Sequence, residues 1–329
     1  NGSLLRQGDG GIQPSFHVLS GEELIDLGRQ LFPEDPQFSE LAEYSDALRA
    51  RLHAKWQHRP PDEWPEVPDR MLRESDLFPD SGWTILRSAP GRNRMEVSLD
   101  WSAFGDHGHP DKLNMVLYAF DEVLSMDLSY GWKPSGDLCQ RYAMRTVSHN
   151  TALADMQCQL PGSAGELWHF DHQPEVQLAW ADAGRCYQDG IRADRCLVLL
   201  GDTVVDLFHL SGGRMHTYDW IFHCLGKLRT DPDMQPRAPL CPPPHRYEKV
   251  SDRPGYEKLD NLHECPVDGM AHLRWEIDGY PQMGWNRPEG RWMDYHLGTL
   301  HLDVIGGRGT TCITGDAPFP MPDPETSRR

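Results

Sequence analysis

The eight cysteines of this 329-residue chain, at positions 139, 158, 186, 196, 224, 241, 265 and 312, form no Cys-x-x-Cys pair and follow no dense regular spacing. That scatter excludes a thiolate zinc site and a small disulfide scaffold. Most of them read as small buried apolar residues, as Cys196 does in Cys196-Leu197-Val198-Leu199-Leu200, with room left for one or two disulfides. Positive charge is also scarce, with 32 Lys and Arg against 50 Asp and Glu and a net charge of -18. A surface of that sign cannot displace counterions from a phosphate backbone, so nucleic acid is excluded as a general partner. No apolar run approaches the length needed to cross a bilayer, so no membrane partner is expected. The first residues, Asn1 to Gln7, lack the charged, apolar, small-residue order of a signal peptide. The chain does not begin with Met, so this says little about compartment. No internal repeat is present.

What is there suits a large core: hydrophobic residues make up 38% and charged ones 25%. The first sixty residues differ from the rest. Ser20-Gly21-Glu22-Glu23 offers a cap followed by apolar residues at helical spacing through Leu31. A second helical stripe, Leu41, Tyr44, Leu48 and Leu52, runs from about Ser39 to Gln57. Pro60, Pro61, Pro65 and Pro68 then form an extended connector. These features predict residues 1–68 as a helical segment with its connector and residues 69–329 as a separate domain.

Beyond Gly82 the pattern turns to short runs of β-branched and aromatic residues between Gly, Pro, Asp and Asn. They predict strands at 83–88, 94–101, 113–120, 123–127, 151–158, 176–181, 195–200, 203–210 and 216–223, with further ones at 271–277 and 295–304. Such spacing predicts a mainly β protein, a large antiparallel β-sandwich. Gly201-Asp202 marks the clearest hairpin. Residues 230–260 read as a long surface loop and the proline-rich end as an extended tail.

Chemistry concentrates in His107-Gly108-His109-Pro110-Asp111, in Asp127 at the end of the next apolar stretch, and in Ser148-His149-Asn150-Thr151. His109, Asp127 and His149 combine two borderline nitrogen donors with a hard oxygen, a mixture that suits zinc with one position left open. Spacing alone also admits His107, because residues two apart on a strand project to one face.

The run from Asp106 to Asp155 contains Gly108-His109-Pro110-Asp111, Leu117-Tyr118-Ala119-Phe120, Leu124-Ser125-Met126-Asp127, Tyr142-Ala143-Met144-Arg145 and His149-Asn150-Thr151. It resembles the C-terminal domain of the heparinase II/III-like polysaccharide lyases, which include the oligoalginate lyases. Cys186 to Arg195, the hairpin after it, and His216 to His223 resemble the same family, and the match runs from about Leu77 to Leu225. The resemblance implies a sandwich of that family's C-terminal type and a zinc ion on His109, Asp127 and His149. That ion would fix loops rather than generate a nucleophile. It turns His107 toward a sugar-binding cleft and places Tyr142 where relatives carry a substrate-facing tyrosine. Arg145 becomes a contact for a sugar acid, and Asn150 a support for the His149 loop. It also implies a periplasmic or extracellular location and an acidic polysaccharide or oligosaccharide as substrate.

Full-length relatives carry a helical toroid before the sandwich, so the helical segment reads as a remnant of, or link to, that missing domain. The expected function is β-elimination on a uronic-acid glycan by a polysaccharide lyase or a part of one. A non-catalytic, zinc-stabilised carbohydrate-binding sandwich is the alternative. A cupin-like metal oxygenase, suggested by His-x-His and a distant His, is a third. Arg92, Arg94, Lys112, Arg141 and Arg145 are the candidate cations that would offset the acidic surface near the site.

Overall fold

The computed structural model describes residues 22–57, 59, 61–65, 74–89, 94–103, 109–120, 122–125, 127, 139–162, 164–240, 254–278 and 296–318. Two helices, α1 (Glu22–Leu31) and α2 (Pro36–Trp56), come first. The second begins three residues before the apolar stripe suggests, because the Asp35 carboxylate accepts the Gln37 backbone N–H at 3.0 Å and Pro36 takes the first helical position. Gly28 lets the two helices approach closely, since a Cβ there would fall 2.2 Å from the Phe38 ring.

The remainder is antiparallel β. The first sheet orders β1 (Asp76–Phe78), β2 (Trp83–Arg87), β3 (Glu96–Asp100), β4 (Leu117–Ala119) and β5 (Glu122–Ser125) in sequence. A separate short pair joins β6 (Ala152–Ala154) and β11 (Tyr218–Trp220). The second sheet contains β7 (Leu167–His172), β8 (Gln177–Asp182), β9 (Arg192–Leu200) and β10 (Thr203–Ser211). A third sheet is built on two long strands, β14 (Asp260–Asp278) and β15 (His296–Asp316), flanked by β12 (Lys227–Thr230) and β13 (Gln235–Pro236).

Alternation decides which side of each strand faces inward. In β9 the buried phase is Ala193, Arg195, Leu197 and Leu199, and in β8 it is Gln177, Ala179 and Ala181. These meet Leu86, Val97, Leu99 and Leu117 of the first sheet, while Leu273, Trp275 and Ile277 of β14 close the same core. The core is thus shared by all three sheets. At the predicted hairpin Leu200 pairs with Thr203 across Gly201-Asp202, and Gly201 takes φ +60°, as a two-residue turn with glycine first requires.

Several local expectations change. The predicted strand 113–120 is regular only over 117–119, because Leu113 adopts φ +59° and the chain before it loops. The 230–260 segment is not wholly loop: residues 235–236 pair with Glu264 and His263 of β14, and Arg237 N–H donates to Leu262 O at 2.9 Å. Residues 241–253 of that segment lie outside the described residues, as does the expected tail from 319 onward. The chain ahead of His149 forms helical turns, a π-type turn over Cys139–Ala143 and a 3-10 turn over Thr146–Ser148. No described helix is long and apolar enough to cross a membrane.

Candidate metal centre

Strand order explains how distant residues converge. The loop carrying His109 leaves β3 and enters β4, and Asp127 lies two residues past β5. Leu117, the first residue of β4, pairs with Ser125, the last of β5, so both loops emerge at one end of the sheet. His149 follows the 3-10 turn that precedes β6. All three side chains are buried, and one donor atom from each lies within 4.8 Å of the others. Asp127 stands between the histidines, its Oδ1 3.7 Å from His109 Nδ1 and its Oδ2 3.5 Å from His149 Nδ1. Two donors on a tetrahedral zinc, at bond lengths of about 2.0–2.1 Å, are separated by roughly 3.3 Å. The donor identities and the spacing both fit such an ion.

Two further carboxyls sharpen the electrostatics. Burial pushes Asp100 up to about 6, against the hydrogen bonds from Ser102. Asp111 is raised well above the ordinary carboxylate range by burial first and then by the charges of Asp100 and Asp127. The compensating cation is Lys112, whose ammonium donates to Ser102 O and is itself lowered by burial. Asp100 and Asp111 stand beside the buried donor set with one partly desolvated lysine, and a divalent cation there would favour their ionised forms.

A polar lattice holds the histidine loops. Thr146 Oγ1 donates to Pro110 O at 2.7 Å and Thr151 Oγ1 to Lys112 O at 2.6 Å. The Gln159 amide reaches Lys112 from both sides, accepting its N–H at 2.7 Å and donating to its O at 3.0 Å. Asn150 accepts the His223 N–H at 2.6 Å and donates to Met115 O at 3.0 Å. Arg195, fully buried, forks onto Asp206 at 2.8 and 2.7 Å and donates from Nη1 to Leu113 O and Asn150 O at 2.5 and 2.6 Å. It therefore ties the left-handed Leu113 and the residue after His149 to the second sheet.

Of the residues predicted for the site, His109, Asp127 and His149 come together. His107 lies outside the described residues. Tyr142 is fully buried in a second core with Val147, Leu153, Leu225 and Tyr256, and its ring meets His223 edge-on at 6.4 Å. Arg145 is half-buried and precedes the 3-10 turn. Arg94 and Lys112 are buried, Arg94 beside Glu96 at 3.3 Å, so neither supplies an open basic surface. Arg141 pairs with Glu257 at 3.6 Å, and Arg92 lies outside the described residues.

Sequence reasoning did not single out Arg195, Asp206 or Gln159. The available signal for Arg195 was a charge in the inward phase of an otherwise apolar strand. A second cluster, Asp155, Asp189 and His216, also brings donor atoms within 4.8 Å. There the cation is resident: Arg214 lies 3.4 Å from Asp155 and also pairs Asp189. Burial opposes ionisation of Asp155, yet hydrogen bonds from His216 and the Thr217 N–H outweigh it and hold its carboxyl below the ordinary value.

The antiparallel sandwich thus brings a His, Asp and His cluster to one end of a sheet. The Heparinase II/III-like, C-terminal family model matches residues 70–240, and the chain belongs to that family. Over 185 residues it is 28% identical to an alginate lyase of Stenotrophomonas maltophilia, covering 49% of this chain and 24% of that protein. Over 220 residues it is 24% identical to an exo-oligoalginate lyase of Saccharophagus degradans, covering 59% of this chain and 29% of that protein. The chain thus spans under a third of these relatives. Among solved structures, a heparan sulfate lyase HepC from Pedobacter heparinus superposes with a TM-score of 0.55 at 11% identity, over 94% of this chain and 42% of that one. A heparinase III superposes with a TM-score of 0.52 at 13% identity, over 99% of this chain and 46% of that one. These likenesses establish the fold.

Proposed function

We propose that this chain is the β-sandwich part of a polysaccharide lyase that cleaves a uronic-acid glycan by β-elimination, with a zinc ion on His109, Asp127 and His149. The convergence of those three buried side chains inside the family-matched region is the observation that carries it. When bound, the ion would supply a fixed positive charge that holds three loops together, a structural rather than a catalytic task. In the reaction a base takes the C5 proton of the uronate. The electron pair of that bond becomes the C4–C5 double bond as the C4–O bond breaks, and the leaving oxygen takes a proton. His107 is assigned to the substrate carboxylate, Tyr142 to the proton at the glycosidic oxygen or to orienting the sugar, and Arg145 to an ionic contact with a sugar acid. The periplasm or the cell exterior is the proposed location, since polymeric uronates are met there.

A second proposal is a non-catalytic carbohydrate-binding sandwich. It is favoured by the burial of Tyr142 and by Trp168 and Trp180, which lie edge-to-face at 5.1 Å and are 46% and 39% exposed, open to sugar stacking. Incubation with alginate and heparan sulfate, read by ultraviolet absorbance of unsaturated uronate, separates the two. The lyase proposal expects absorbance that Tyr142→Phe lowers at least tenfold without lowering the melting temperature. Glycan retention with no absorbance selects the binding module and removes the lyase assignment from this chain.

A further inference from the structure

The outward face of the β14–β15 ribbon carries a second pair of histidines far in sequence from the centre already described. His272 is directly opposite Asp303, and His301 is opposite Arg274, so the two histidines are diagonal neighbours on one face. Diagonal pairs on adjacent antiparallel strands lie within reach of aromatic side chains. Here His272 Nε2 and His301 Nδ1 stand 3.2 Å apart, their rings tilted by 33° with centroids 5.2 Å apart. On the other side of the His272 ring, Nδ1 meets Asp303 Oδ1 at 2.5 Å. Being acceptor-only when ionised, that carboxylate fixes the proton on Nδ1 and leaves the Nε2 lone pair directed at His301. The inner face of the same strands, Leu273, Trp275 and Leu302, packs into the core and gives the pair a rigid base.

We propose that His272 and His301 form a binding site for a divalent transition ion of the borderline class, zinc or copper(II), with Asp303 as the carboxylate that orients His272. Two imidazole donors on one such ion, at about 2.0–2.1 Å each, are separated by roughly 3.3 Å, close to the 3.2 Å spacing. Imidazole donors suit these ions, and a ligating histidine that gives its other N–H to a carboxylate is the usual supporting arrangement. In the free protein one proton lies between Nε2 of His272 and Nδ1 of His301. On binding, His301 shifts to the tautomer protonated at Nε2, so both imidazoles stay neutral and no redox partner or net proton is required. His272 is 29% exposed and His301 is open to solvent, which leaves the remaining coordination positions to water. The ion would clamp β14 to β15.

The test is zinc content by elemental analysis after equilibration with micromolar zinc and removal of free metal, combined with chelator competition. His301→Ala and His272→Ala are expected to lose one zinc per chain relative to wild type, while His263→Ala, at a half-buried histidine on the same ribbon, loses none. Asp303→Asn keeps the ligands and is expected to weaken the site by about 10- to 100-fold in competition. Unchanged stoichiometry and competition midpoints in both His301→Ala and His272→Ala overturn the site. The measurement is repeated in an Asp127→Asn background, which removes the buried centre. A zinc lost on His301→Ala there supports the ribbon site whether or not the buried centre binds metal.

Discussion

Arg195 is the residue on which the site's geometry depends most. Its guanidinium makes four hydrogen bonds, two to Asp206 and one each to the carbonyls of Leu113 and Asn150. Arg195→Met would leave the Asp206 carboxylate with Trp220 and no cation and remove a donor from each of two buried carbonyls, a loss of about 3–5 kcal/mol. Lys cannot reproduce the fork, so Arg195→Lys is expected to recover little of it. Chemical denaturation of the three proteins checks this, and wild-type stability in either variant would show that the network is dispensable. Asp100 gives a pH signature. Its carboxyl is raised from 3.8 to about 6, so the native state keeps a proton that the unfolded chain has released. Its contribution to stability is therefore full below about pH 4 and lost as the pH rises through about 6. In metal-free protein Asp100→Asn should match wild type below pH 4 and exceed it above pH 6. Equal stabilities at pH 7 would contradict the assignment. The convergence of His109, Asp127 and His149 was legible at this scale because His and Asp are chemically distinctive. The supporting Arg195 and Gln159 were not, since their partners are mostly backbone carbonyls that only the fold brings near.

Among the elements, the hairpin β9–β10 was readable from Gly201-Asp202 and the alternation on either side of it. The strand β7 was missed because its residues, Leu-Trp-His-Phe-Asp-His, are largely exposed and carry no clear apolar phase. The long ribbon was seen only in part. Its outer halves are polar, and pairing between β14 and β15, not hydrophobic pattern, sustains them over 19 and 21 residues. One close approach tests how the ribbon docks. Gly298 in β15 lies against Phe120, and a Cβ there would come within 2.4 Å of its ring. Gly298→Ala must displace that ring or shift the strand, at a cost of about 1–3 kcal/mol. The melting temperature should fall accordingly, and an unchanged value would mean that the ribbon docks more loosely.

For the whole molecule, the net charge of -18 sets the terms of recognition. Two of the cations expected near the site, Arg94 and Lys112, are buried, and the Lys112 ammonium donates to Ser102 O inside. Under the proposed lyase reading, attraction of an acidic glycan would rest on other residues. The sandwich architecture was legible from strand spacing, but the sharing of one core by three sheets was not, because β14 contributes to it from more than sixty residues beyond β9. The central claim is that folding builds one buried divalent site from three loops at the end of the first sheet. It is tested most directly by zinc content in the His301→Ala protein with and without Asp127→Asn, a substitution that keeps the shape of the side chain. One zinc per chain falling to none is the expected result. Zinc that is absent from the His301→Ala protein, or that persists unchanged with Asp127→Asn, would contradict it.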